Sequence, residues 1–134
     1  MKEVLLTFDG GALKEAGEGF GKGYGSYNIR INGESEPVFS KLKETYGNEL
    51  SNNQAEYMSL IRGIKKVIEL CGEDIKLQIK GDSQLVINHI NGSYRVKSPN
   101  MIPLYQETMA LLNRLTEYDI EFWRRVNSEI EFGH

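Results

Sequence analysis

At 134 residues the chain is long enough for one domain to bury a core without disulfides or a structural metal. Forty per cent hydrophobic and 26% charged residues are ordinary for a soluble globular protein, and no apolar run approaches the ~20 residues of a membrane-spanning helix, so a membrane partner is not expected. A net charge of −3 gives no bulk attraction to nucleic acid; any such binding must rest on local basic residues or on metal ions that invert the local field.

Met1-Lys2-Glu3 leads straight into an apolar strand pattern instead of a signal peptide, and the lone Cys71 cannot form an internal disulfide. A reducing cytoplasm, and a monomer, are the expectations. Val4 to Phe8 form the first β run. Gly10 to Gly25 holds seven of the fourteen glycines and reads as a hairpin loop. Tyr24 to Ile31 alternates up to a turn at Asn32-Gly33, and a further strand follows near Pro37 to Lys43. Ser51-Asn52-Asn53-Gln54 has the form of a capping box and opens a helix running to about Leu70. Tyr57, Leu60, Ile61, Ile64, Val67, Ile68 and Cys71 share one arc of that helix, with Asn53 within it and Glu56 at its edge.

Ile75, Leu77 and Ile79 alternate with Lys76, Gln78 and Lys80 in a half-buried strand that stops at Gly81-Asp82-Ser83, before a short helix ending near Gly92. A second long helix, entered at Ser98-Pro99, runs to Leu115, and Ile120 to Val126 reads as a last strand. The order βββαβααβ predicts an α/β protein with one mixed sheet and helices packed on its faces.

Three acids stand at the ends or edges of these elements. Asp9 closes the first strand and precedes Gly10-Gly11, where backbone can approach a ligand closely. Asp82 closes another strand, beside the crevice where mixed sheets bind ligands, and Glu56 projects from the first turns of a helix. Converging acids repel one another unless a cation neutralises them, and a hard cation such as Mg²⁺ prefers their oxygens. Taken singly, each acid reads equally well as a cap or a surface charge: Asp82 as an N-cap, Asp9-Gly10 as a turn.

Taken together with their neighbours, Thr7-Phe8-Asp9-Gly10-Gly11, Ser51-Asn52-Asn53-Gln54-Ala55-Glu56-Tyr57 and Lys80-Gly81-Asp82-Ser83-Gln84-Leu85-Val86 resemble, in order and spacing, the three main motifs of type 1 ribonuclease H. The resemblance covers nearly the whole chain as a single domain, 1–134. It implies the ribonuclease H fold with a five-stranded sheet, and endonucleolytic hydrolysis of the RNA strand of RNA/DNA hybrids, leaving 5′-phosphate ends. It further implies two divalent ions, Mg²⁺ with Mn²⁺ as the alternative, held by four acids.

Asp9, Glu56 and Asp82 fall on the first three metal-binding, catalytic positions. Arg124, Asn127 and Glu131 occupy the places of the fourth motif, with Glu131 standing where the family has Asp and Glu129 and Glu121 as nearby rivals. The family often carries a His ahead of this motif, and none stands there in this chain. The chain also stops three residues after Glu131, without the helix that usually follows. Neither His89 nor His134 is assigned a role.

For substrate, the 2′-hydroxyl distinguishes RNA from DNA, and neutral hydrogen-bonding groups suit it. Gly10, Gly11, Asn52, Asn53 and Gln54, with Asn127 by resemblance, are the expected substrate contacts. Tyr94, Arg95, Lys97, Arg124 and Arg125 are candidates for phosphate contacts to the opposite strand. Two other functions compete: a noncatalytic hybrid-binding module with a degenerate fourth carboxylate, and a phosphatase with Asp9 as nucleophile. The usual Asp-x-Asp of the latter would need an acid where Gly11 stands.

Overall fold

A computed structural model describes residues 1–14 and 19–133. The elements in chain order are β1 (Lys2–Lys14), β2 (Gly21–Ile31), β3 (Phe39–Leu50), α1 (Asn52–Cys71), β4 (Ile75–Gly81), α2 (Gln84–Ile90), α3 (Ile102–Leu112), β5 (Glu117–Phe122) and α4 (Arg125–Phe132). The strands form one mixed sheet in the order β3-β2-β1-β4-β5. β1, β2 and β3 pair antiparallel, whereas β4 lies parallel to both β1 and β5.

Alternation along β1 decides what each face carries. Val4, Leu6 and Phe8 point to the core under α1, together with Ile29, Leu77 and Ile79 from neighbouring strands and Tyr57, Leu60, Ile64 and Val67 from the helix. Each fully buried side chain of this size stabilises the fold by about 1.5–3 kcal/mol. The other face of β1 carries Thr7, Asp9, Gly11 and Leu13 beside Asn28, Ser26, Tyr24 and Lys22 of β2. α4 packs on part of this second face, so helices cover both sides of the sheet, as the element pattern predicts.

The capping box at the start of α1 is complete. Ser51 Oγ accepts from the Gln54 N–H at 3.1 Å, and Gln54 Oε1 accepts from the Ser51 N–H at 2.9 Å. The turn at Asn32-Gly33 is also present, both residues having positive φ, 54° and 76°. No helix among the described residues is long and apolar enough to cross a membrane.

Several boundaries differ from the sequence reading. β1 and β2 extend through most of the glycine-rich stretch, because its alternate glycines can pair in a ladder as well as loop. Part of that hairpin loop, and His134, lie outside the described residues. β3 runs to Leu50, well past Lys43, and α3 starts at Ile102, with Pro103 in its first turn. The segment read as a strand to Val126 ends at Phe122, and a further helix, α4, follows. Trp123 sets that corner: its N–H donates to the Gly81 carbonyl at 2.9 Å, and its indole Nε1–H to Ser128 Oγ, also at 2.9 Å.

Candidate active site

Asp9, Glu56 and Asp82 line one pocket of about 230 Å³, together with Gly10, Gly11, Tyr24, Asn52 and Arg125. Each wall has a local cause. Gly10 sits where β1 passes the first turn of α1: a Cβ there would stand 2.7 Å from the Ala55 carbonyl carbon and from the Glu56 nitrogen. Only a residue without a side chain lets the strand come so close, and that approach brings Asp9 to Glu56. The Gly10 N–H donates to Asp9 Oδ1 at 3.0 Å and fixes the carboxylate.

Asp82 is free of capping duty because Ser83 caps α2, accepting from the Val86 N–H at 3.3 Å. The Ser83 hydroxyl also hydrogen-bonds the Glu56 carboxyl. One serine thus starts a helix and orients an acid.

Electrostatics within the pocket are those of buried acids close to one another. Burial pushes Asp9 from an ordinary 3.8 up to about 7; the charge of Asp82 and a hydrogen bond shared with it add to the rise, while the Gly10 N–H and Arg125 oppose it. Burial likewise pushes Glu56 up to about 8, with Asp82 and Asp9 adding and Ser83 and Arg125 opposing.

The Asn52 side chain accepts from the Ala12 N–H at 2.8 Å, so its oxygen is committed to β1 and what it offers the pocket is its Nδ2 donors. Asn53 and Gln54 are not among the lining residues; Gln54 Oε1 is taken by the capping box. Asn127 is exposed on α4 and also lies outside the lining.

Glu131 is not brought to the other three acids. It sits on the α4-covered face of the sheet, where Thr7 Oγ1 donates to its Oε2 at 2.6 Å and Arg30 Nη2 donates to its Oε1 at 2.8 Å. Burial alone would raise its pKa, but the hydrogen bonds from Arg30, Thr7 and Asn28 and the Arg30 charge hold it below the usual carboxylate range. The structure thus does not group Glu131, expected as the fourth metal-binding carboxylate, with the other three acids: it lies outside the pocket lining and pairs with a guanidinium. The side chain that α4 does send to the acid pocket is Arg125. Among the described residues, no three His, Cys, Asp or Glu side chains are already grouped to hold an ion.

His89 is buried, its Nδ1 within 2.7 Å of Tyr57 Oη, and burial lowers its pKa. That is a core pair, in keeping with its having no assigned role. Tyr94 and Arg95 line a different pocket, with His89 and Tyr105. Sequence reasoning missed Tyr24 and Ser83. Ser83 carried a signal, since a Ser three residues ahead of the apolar Val86 has the form of an N-cap; Tyr24 becomes visible only when β2 is placed opposite Gly11.

A model of the family described as "Reverse transcriptase-like" matches residues 22–130. Among curated proteins, the bifunctional protein Rv2228c of Mycobacterium tuberculosis is 27% identical over 126 residues, covering 94% of this chain and 32% of the relative; the chain thus spans about a third of the curated relatives it matches first. RNase H1 from the halophilic archaeon Halobacterium salinarum superposes with a TM-score of 0.81 at 24% identity, covering 95% of this chain and 89% of that one. LC11-RNase H1 in complex with an RNA/DNA hybrid superposes at 0.75 and 22% identity, covering 92% and 87%. The chain belongs to the reverse transcriptase-like family, and its fold is that of type 1 ribonuclease H.

Proposed function

We propose that the chain is a metal-dependent endoribonuclease that hydrolyses the RNA strand of RNA/DNA hybrids, leaving 5′-phosphate and 3′-hydroxyl ends. The observation that carries this reading is the convergence of Asp9, Glu56 and Asp82 in one pocket with an amide, Asn52, on its wall. A solved relative of the same fold in complex with an RNA/DNA hybrid supports the substrate class.

The donor set fits Mg²⁺ or Mn²⁺. All three acids offer hard oxygen ligands, and the burial and mutual repulsion that raise the pKa values of Asp9 and Glu56 are what a bound cation would offset. Asp9, Glu56 and Asp82 would hold the ions, two per site. When bound, such ions would supply activation of water and stabilisation of the leaving oxygen in phosphoryl transfer.

The rest is done by this chain's own groups. The Gly10 N–H and the Ser83 hydroxyl fix the Asp9 and Glu56 carboxyls. The Asn52 amide presents N–H donors suited to the 2′-hydroxyl oxygen of the RNA strand. Arg125 places a cation beside the acids, suited to a non-bridging phosphate oxygen.

A second reading, a hybrid-binding module without turnover, draws on one observation: Glu131 is held by Arg30 and Thr7 away from the three acids. One experiment separates the two. The protein is incubated with a hybrid labelled on its RNA strand in Mg²⁺, in Mn²⁺ and in EDTA, beside Asp9→Asn. Metal-dependent cutting of the RNA strand alone, lost in Asp9→Asn while hybrid binding persists, is the expected result. Binding without cutting in either metal would establish the module, and efficient cutting of duplex DNA would remove the hybrid specificity.

A further inference from the structure

We infer that the sheet surface beyond Tyr24 is a track for the phosphodiester backbone of the duplex whose strand enters the acid pocket. The inference rests on the hydrolase reading for the identity of that duplex.

Next to the acid pocket lies a second concavity of about 250 Å³, lined by Leu13, Lys22, Tyr24, Lys43 and Thr45. Tyr24 lines both. The register shows why they adjoin: Asp9 pairs with Ser26, Gly11 with Tyr24 and Leu13 with Lys22, so these side chains share one face of the β1–β2 ladder. Tyr24 in turn pairs with Thr45 of β3. Its ring lies over Gly11, where a Cβ would come within 2.8 Å of the phenol oxygen. At ~3.4 Å per residue, Leu13 and Lys22 stand about 14 Å along the strand from Asp9, comparable with about four base-pair steps of a duplex axis.

The edge strand is bent to build this surface. Gly25 pairs with Glu44 but Tyr27 pairs with Lys41, so Leu42 and Lys43 together face Ser26 in a bulge. Lys43 takes a left-handed backbone, φ 51°, and its N–H donates to Ser26 Oγ at 2.9 Å. A residue with a Cβ adopts that conformation only where its surroundings require it. Without the bulge, Phe39 and Thr45 would share a face, since an even number of positions separates them. With it, Phe39 packs against the core beside Ile29 while Thr45 and Lys43 join Tyr24 and Lys22. The bulge thus serves two faces of one strand.

Lys22, Lys43 and Thr45 are exposed. Two ammonium groups and a hydroxyl beside an aromatic ring match phosphate oxygens, with no element that reads a base. In a chain with net charge −3, duplex binding needs such a local basic surface, and this one is continuous with the acid pocket.

The test is fluorescence anisotropy of a labelled RNA/DNA hybrid in EDTA, titrated with salt. Wild type is compared with Lys22→Ala/Lys43→Ala, with Lys22→Arg/Lys43→Arg, and with the charge-matched control Lys2→Ala/Lys76→Ala at the opposite end of β1. The alanine double variant is expected to bind about tenfold more weakly at low salt. Its slope of log affinity against log salt should be shallower by about 1.8, the release expected from two phosphate contacts. The arginine variant and the control should keep the wild-type slope.

Lys22→Gln/Lys43→Gln replaces the alanine variant if the latter melts below wild type. An unchanged slope in a protein that binds and cleaves hybrid overturns the track and leaves the nuclease reading standing. An equal loss in the control also overturns it. A wild type that neither binds nor cleaves hybrid overturns both.

Discussion

Arg30 grips Glu131 across the face of the sheet: Nη2 lies 2.8 Å from Oε1 while Nη1 bonds Oε2, and Thr7, two residues before Asp9, completes the contact. Both ion-pair side chains are largely buried, 18% and 12% exposed. The pair clamps the end of α4 to β1 and β2, and the start of that helix delivers Arg125 to the acids.

Glu131→Gln keeps the volume but leaves Arg30 without its counter-charge, and a hydrogen bond between charged groups contributes about 1.5–3 kcal/mol. A loss of about that size in denaturant unfolding is expected, with less in Glu131→Asp. The divalent-ion concentration for half-maximal cleavage should stay at the wild-type value. A marked rise in that concentration, with stability unchanged, would return Glu131 to the metal.

The contrast between Glu131 and the other acids shows what the sequence could and could not reveal. The α1 capping box is local, written in Ser51 and Gln54, and the structure forms it as read. Asp9, Glu56 and Asp82 stand in motifs that a reader of the sequence can pick out. Asp9, read as the end of the first strand, nevertheless lies in the middle of β1, which runs on to Lys14; only Asp82 directly follows a strand end. Glu131 depends on Arg30, 101 residues away, and no spacing within its own segment records that partner. β3 was read short because its bulge breaks the two-residue period on which strand reading relies. α4 was read as the tail of a strand because Phe122, Trp123 and Val126 favour strands, and the contacts that hold the helix, Trp123 with Gly81 and Ser128 and Glu131 with Arg30, include partners far away in the sequence.

Metal-free stability should fall as pH rises. Asp9 and Glu56 ionise near 3.8 and 4.5 when unfolded but near 7 and 8 when folded, so between those limits the folded state binds more protons than the unfolded one. By linkage, the stability these groups allow is fully present below pH 4 and declines toward pH 8. Melting temperatures in EDTA at successive pH values check this. Asp9→Asn or Glu56→Gln should flatten the decline, and saturating Mg²⁺ should raise stability most at the alkaline end. A wild-type profile rising between pH 5 and 8 would contradict the burial argument.

Asn52 offers a cleaner test of strand recognition than its neighbours, because its two ends have separate tasks. Asn52→Asp retains an oxygen for the Ala12 N–H but removes the donors and adds a negative charge beside three acids. Folding stability should change by less than about 1 kcal/mol. KM for hybrid should rise several-fold, and the preference for hybrid over duplex DNA in binding should shrink. If Asn52→Asp weakens both duplexes equally, the amide positions the helix and does not read the RNA strand.

Gly10→Ala asks whether the approach of β1 to α1 is what assembles the site. The added methyl would stand 2.7 Å from Ala55 and Glu56 backbone atoms, and backbone held in a helix cannot swing aside as a side chain would. Either β1 or the first turn of α1 must retreat by several tenths of an ångström, separating Asp9 from Glu56. Overpacking of this kind costs about 1–3 kcal/mol, so the variant should fold with a lowered melting temperature. Its cleavage rate should fall by at least about tenfold, since a small misplacement of groups that share one reacting phosphate is costly. The metal-free pH profile adds a second readout: with Asp9 and Glu56 further apart, each loses part of the repulsion that raises its pKa, and the decline in stability toward pH 8 becomes shallower. A Gly10→Ala protein with wild-type stability and turnover would show that the strand has room to spare there, and that something other than this contact brings the acids together.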